Sequence, residues 1–289
     1  MYGRILDSLK AASLDIKAIE IYRGGETVYH YDIGEGKRYP VYSVTKSITS
    51  AAFSLACADG LLTADMPLAE LLPKRYISKT NDNFRILPIK RFLTMTAGEY
   101  PFRPYGGDWI ETILSLDTNY SDTSFHYSNI PAYLVGAAVE NAVGKPLIQY
   151  LDRRLFSPLG IPTPEFANSP EGYFYGATGM YLSVSELGRL GRLYLQNGRF
   201  DNKTIIPGEL TAEAVAPHVR TGKGDSYGYY FRIADDHFSM VGKWGQRCII
   251  YPEYELVIAY LSHQPERSDE LYRMMNAFAH SLTAPNISR

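Results

Sequence analysis

The sequence is poor in cysteine: only Cys57 and Cys248 in 289 residues, each inside an apolar run. A disulfide framework is not indicated, and two buried free thiols are the expectation. Metal-ligand spacings are missing too. No CxxC or HExxH occurs and the six histidines stand singly, so no metal site is expected. The formal net charge is only −2, which gives no electrostatic reason to expect nucleic acid or an acidic membrane surface as partner. No apolar run reaches the roughly 18 residues of a membrane span. The opening "MYGRILDSLK" lacks the apolar core of a signal peptide, so a cytoplasmic location is the expectation. There is no P-loop and no GxGxxG, hence no support for nucleotide or another cofactor. The Gly-x-Ser-x-Gly elbow is absent as well, which argues against the α/β-hydrolase arrangement.

What remains is an ordinary globular composition, 45% hydrophobic and 21% charged, with an unusual 24 tyrosines. Tyrosine in such number suits wet aromatic pockets as well as core packing. "KAIEIYRGGETVYHYDI" (17–33) reads as two strands around a Gly-Gly turn. After Tyr227, "YGYYFRI", "HFSMVG", "QRCIIYPE" and "LVIAYLSH" are short β-rich runs, followed by a helix from about Ser268. Strands joined by such short turns pair antiparallel. Between these ends, 66–200 reads as mostly helical; Gly144 and Pro146 end one helix, and Asn197-Gly198 another. The expected fold class is α+β: an antiparallel sheet from both chain ends flanked by helices, with an inserted helical lobe. In numbers, one domain over 1–289 is expected, with 1–65 and 200–289 as an α/β lobe and 66–199 as the helical lobe.

One helix stands out. "YPVYSVTKSITSAAFSLACADGLL" (39–62) is apolar or small after its first turn, with Gly60 placed to end it. Yet Ser43 and Lys46 sit at its start. Positions i and i+3 share a helix face, so the serine hydroxyl and lysine amine can meet. The positive helix N-terminus and apolar surroundings both disfavour the ammonium and lower its pKa. A lysine closer to neutral can take the serine's proton, which activates a nucleophile without histidine. A Ser-x-x-Lys arises by chance about once in a chain of this size, and a lysine can also snorkel back to solvent. Further along, "FHYSNIPAYLVGAAVE" sets Tyr127-Ser128-Asn129 before another apolar helix. Ser128 or Asn129 suits an N-cap there, and Tyr127 a core ring.

"SVTK" (43–46), "YSN" (127–129) with the helix after it, "IKRFLTMTAGE" (89–99), "GMYLSVSELGRLGRLYLQNGRFDNKTII" (179–206) and "GKWGQRCIIYPE" (242–253) together resemble the β-lactamase-related serine hydrolases. That group includes class C β-lactamases, penicillin-binding DD-peptidases and esterases of the same fold. The resemblance runs from about residue 17 to 265 in one order. It implies a β-lactamase/transpeptidase-like fold and an acyl-enzyme on Ser43, with Lys46 and Tyr127 as a base system sharing one proton. It implies Asn129 as a partner of Lys46 or of the substrate, and an oxyanion site between the Ser43 amide and a strand amide near Gly245.

The family's Lys-Thr-Gly or His-Thr-Gly strand motif is missing. Its nearest counterpart is "GKWGQ" (242–246), which makes Lys243, Trp244 and Gly245 candidate substrate contacts, Lys243 being equally readable as a solvated strand-end charge. Pocket loops "EYPFRPYGGDW" (99–109) and "EGYFYG" (171–176) offer Tyr100, Phe102 and Tyr173, and suggest an apolar or aromatic acyl group. The expected partner is a small ester, amide or β-lactam-like molecule, with esterase-like turnover. The alternatives are a β-lactamase or DD-peptidase, and a penicillin-recognising binding or sensing module that acylates without turnover or not at all.

Overall fold

The computed structural model describes residues 2–283. Its sheet begins where the sequence pattern places it. Ile16–Arg23 (β1) and Glu26–Asp32 (β2) form a hairpin. The turn residues Gly24 and Gly25 have φ of 56° and 99°, left-handed values that glycine adopts without strain. The remaining strands of this sheet are Val219–Arg220 (β3), Ser226–Tyr227 (β4), Arg232–Ile233 (β5), Phe238–Gly242 (β6), Gln246–Tyr251 (β7) and Leu256–Ser262 (β8). They lie in the order β2-β1-β8-β7-β6-β5-β4-β3, with every pair antiparallel. The two chain ends therefore meet side by side, Ile19 opposite Tyr260 and Ile21 opposite Ile258.

Five longer helices cover the sheet and fill the inserted segment: Arg4–Ala11 (α1), Val44–Ala58 (α2), Ile130–Val143 (α3), Val184–Leu195 (α4) and Ser268–Thr283 (α5). Successive strand residues face opposite sides, and both sides are used. Ile19, Ile21, Ile249 and Ile258 pack with Ile5 and Leu9 of α1 and Leu271 and Met275 of α5. Met240, Cys248 and Val257 face the other way, into a core that holds α2, α3 and α4. Covered on both faces, β8 is buried along its whole length, which is why "LVIAYLS" reads as a continuous apolar run rather than an alternation. None of the described helices is long and apolar enough to cross a membrane.

Three expectations need correcting. The helix read over 39–62 starts only at Val44, because Tyr39–Pro40 pairs with Tyr181–Leu182 as a short ladder. Its end is as expected: the Gly60 and Leu61 amides donate back to the Cys57 and Ala56 carbonyls at 2.9 and 3.0 Å, a C-terminal cap that satisfies the last carbonyls. "YGYYFRI" is not one strand; it is the last residue of β4, a turn, and β5. Last, α4 does not belong with the inserted helices. It lies on the sheet, against β1, β7 and β8.

That docking depends on two glycines one turn apart. A Cβ on Gly188 would come within 2.3 Å of Glu20 Oε1, and one on Gly191 within 2.4 Å of Cys248 Sγ and 2.6 Å of Val257 Cγ1. A methyl group at Gly191 would force α4 off the sheet. Overpacking of this kind costs about 1–3 kcal/mol, against about 0.8–1 kcal/mol recovered in helix propensity. Because Val257 is branched and held in a buried strand, the clash is expected to win. Gly191→Ala should lower the urea midpoint without changing the slope of the transition; an unchanged or raised midpoint would contradict this packing.

Candidate active site

Tyr42, at φ 48°, turns the chain from the short ladder into α2 and sets Ser43 at the helix entrance with φ −71° and ψ −5°. The side chain of Ser43 does not cap its own helix. Instead its Oγ lies 3.0 Å from Lys46 Nζ, the i, i+3 meeting that the spacing predicts. The rest of α2 explains the odd composition. Every residue from Val44 to Ala56 is buried, and a helix apolar all round is one that runs through a core.

Lys46 is 1% exposed. Its nitrogen touches three oxygens: Ser43 Oγ, Asn129 Oδ1 at 2.7 Å and the Ala177 carbonyl at 3.0 Å. Three contacts exhaust the donors of an ammonium. Burial lowers the pKa of this amine below the free-lysine value, while Tyr127 beside it works the other way. The lysine thus does not snorkel to solvent; it is held inside, with its proton made easier to lose.

Tyr127 and Asn129 arrive from the segment before α3. The Tyr127 ring centroid is 4.9 Å from Lys46 Nζ. Asn129 bridges Lys46 and the Tyr175 hydroxyl, to which its Nδ2 donates at 3.1 Å, and it makes no side-chain cap to α3. Ser128 takes the turn-holding part. Its Oγ accepts from the Ile130 amide at 3.1 Å and donates to the Pro101 carbonyl at 2.7 Å, while the Asn129 amide donates to the Phe102 carbonyl at 3.0 Å. These bonds fasten the 99–109 loop beside the serine.

Ser43, Tyr127 and Asn129 open into a cavity of about 400 Å³. Of the other candidates, Phe102 and Lys243 line it. Phe102 is 54% exposed, its ring 6.4 Å from that of Tyr127. Tyr100, Tyr173, Trp244 and Gly245 do not line it. Tyr100 is a core residue at 7% exposure, and Tyr173 packs half-buried against the core. Trp244 backs the cavity instead, edge-on to Tyr42 at 5.2 Å and to His263 at 4.6 Å. Gly245 faces the other way, so close to Ser262 that a Cβ would meet its Oγ at 2.3 Å. The reason is register. β6 ends at Gly242 and Lys243–Gly245 form the turn beyond it, so the strand residues at the cavity are Val241 and Gly242.

Several lining residues escape the sequence reading: Tyr42, Arg103, Thr178, Tyr227, Tyr230 and Arg232. Tyr227 and Tyr230 were legible only as strand residues of "YGYYFRI". In the structure Tyr230, at φ 65°, sits in the turn between β4 and β5, and its carbonyl accepts from Ser47 of α2 at 2.8 Å. No carboxylate lines the cavity among the described residues, whereas Arg103, Lys243 and Arg232 do. Arg232 is already paired, 2.9 Å from Asp225.

The Beta-lactamase family model matches residues 17–280. No curated protein sequence matches the chain. Among solved structures, a candidate 6-aminohexanoate-dimer hydrolase from Bacillus anthracis superposes with a TM-score of 0.76 at 19% identity, covering 96% of this chain and 82% of the other. A candidate beta-lactamase from Bacteroides dorei DSM 17855 does so at 0.79 and 18%, covering 96% and 98%. The octameric penicillin-binding protein homologue from Pyrococcus abyssi gives 0.76 and 18%, covering 98% and 76%. At these identities the likeness is one of fold.

Proposed function

This chain belongs to the beta-lactamase family, and from that premise we propose that it is a serine hydrolase that forms an acyl-enzyme on Ser43 and turns over a small ester or amide. The carrying observation is the buried Lys46, bonded to Ser43 Oγ in a cavity that also presents Tyr127. Neutral Lys46, coupled to Tyr127, takes the Ser43 proton as Oγ bonds to the substrate carbonyl carbon. The carbonyl electron pair moves onto oxygen. Two amides suit that oxyanion, Ser43 and Lys243, neither of which donates to a protein acceptor among the described residues. The pair then returns, the ester or amide bond breaks, and the Lys46/Tyr127 system gives its proton to the leaving group. Water repeats the sequence to free the acyl group.

The lining supports an ester or amide over a β-lactam. The strand beside the serine carries Met240, Val241 and Gly242, none of which has a side-chain hydroxyl to donate to a β-lactam carboxylate. Tyr42, Phe102, Tyr227 and Tyr230 suit an apolar or aromatic acyl group. Arg103 and Lys243, which have no carboxylate partner among the described residues, favour substrates with a negative group at the mouth.

A fluorophosphonate should add one mass increment to the peptide carrying Ser43, and a p-nitrophenyl ester should be consumed catalytically. A chromogenic cephalosporin incubated alongside separates the rival readings. Rapid colour would make the protein a β-lactamase, and a stable adduct without turnover a sensor. No adduct on Ser43 removes the hydrolase and β-lactamase readings and leaves only a binding module that does not acylate.

A further inference from the structure

A second cavity, about 280 Å³, adjoins the first. It is lined from β5, β6 and β7 and from the start of α5, and its walls include Lys223, Asp225, Arg232, Ser239, Arg247 and Tyr272. Arg232 is the one residue that lines both cavities. We propose that this second cavity binds a small anion, a phosphate or carboxylate group, and that its occupancy is felt at Ser43 through Arg232.

Charge and hydrogen-bonding capacity point to the ligand. The Arg247 guanidinium stacks 3.7 Å from the Tyr272 ring centroid, and neither Arg247 nor Lys223 has a carboxylate partner among the described residues. The wall carboxylate Asp225 and the neighbouring Asp236 are both occupied. Asp225 accepts two bonds from Arg232 and one from Thr221, and Asp236 is held by His237 and His280. Ser239 is 2% exposed, lines the cavity, and its hydroxyl has no partner in the described protein. Open to the cavity and not used by the protein, this hydroxyl can donate to an oxyanion bound by Arg247 and Lys223.

Coupling follows from what Arg232 touches. Its guanidinium lies 5.8 Å from the ring centroids of Phe125 and Tyr227, and both rings contact Tyr127, at 6.4 and 6.3 Å. An anion that competes with Asp225 for Arg232 shifts the aromatic group on which Tyr127 rests.

Calorimetry on the full chain carrying Ser43→Ala, with inorganic phosphate and with succinate as separate probes, should show saturable one-to-one binding of at least one. Arg247→Gln should weaken it about 10- to 100-fold, and Ser239→Ala should weaken it measurably with the thermal transition unmoved. In the active protein the same anion should shift KM for a neutral ester about 5-fold or more, an effect that Arg247→Gln removes. Absence of saturable binding by both probes, or binding that survives Arg247→Gln and Ser239→Ala, overturns the site. A KM shift that persists in Arg247→Gln is competition at the catalytic cavity and overturns the coupling. Since the binding arm needs no turnover, its failure is distinct from failure of the hydrolase reading.

Discussion

Ser43→Ala is expected to lower ester turnover by about 10⁴- to 10⁶-fold, the range seen when a hydrolase loses its nucleophile but keeps its binding groups. Fold stability should barely change. Ser43 neither caps α2 nor fills the core, and its hydroxyl's single contact in the described protein is Lys46. That lysine keeps Asn129 and the Ala177 carbonyl after the substitution. Steady-state rates, fluorophosphonate labelling and a thermal melt on the same preparation decide the matter. A variant that melts like the parent, takes no label and loses turnover by four orders of magnitude isolates the hydroxyl as the reacting group. Retention of activity within about tenfold would show that another residue is the nucleophile.

The contrast between Ser43 and Gly245 shows what a sequence can reveal of such a site. Ser43 and Lys46 are legible because their meeting is local: one helical turn fixes it whatever the remaining chain does. Tyr127 and Asn129 were placed by family resemblance, since nothing in their own segment says that it crosses to α2. Gly245 was misplaced because strand register sets which residue reaches a site, and a one-residue error moves a side chain to the opposite face. Trp244 at φ 64° marks the turn that decides this, and tryptophan gives no sign of it. The third contact of Lys46 is a backbone carbonyl, of Ala177, which has no side-chain signature at all. Chain order alone puts α4 in the inserted helical lobe, although Gly188 and Gly191, at i and i+3, are a visible sign of a helix that lies close against something.

Lys46 carries the other large effect. Lys46→Met keeps a long flexible side chain in the same space and removes the proton acceptor, so kcat/KM should fall by about 10²- to 10⁴-fold. The pH profile identifies the cause. Lys46 must be neutral to accept the Ser43 proton, and burial depresses its pKa below the ordinary 10.5. In the parent, kcat/KM should therefore rise with pH and level off above that depressed value, falling about tenfold per unit below it. The methionine variant should lose this limb. Stability gives an independent reading with a definite sign. With the folded pKa below the unfolded one, the unfolded chain binds more protons between the two values, so the parent gains stability as pH rises through that window. Below the folded pKa the buried ammonium bears its full desolvation cost, and there the variant compares best with the parent. Its disadvantage should grow toward alkaline pH as the parent sheds that cost. Equal pH slopes for parent and variant, in both rate and stability, would mean that Lys46 stays charged throughout and that the proton leaves Ser43 by another route.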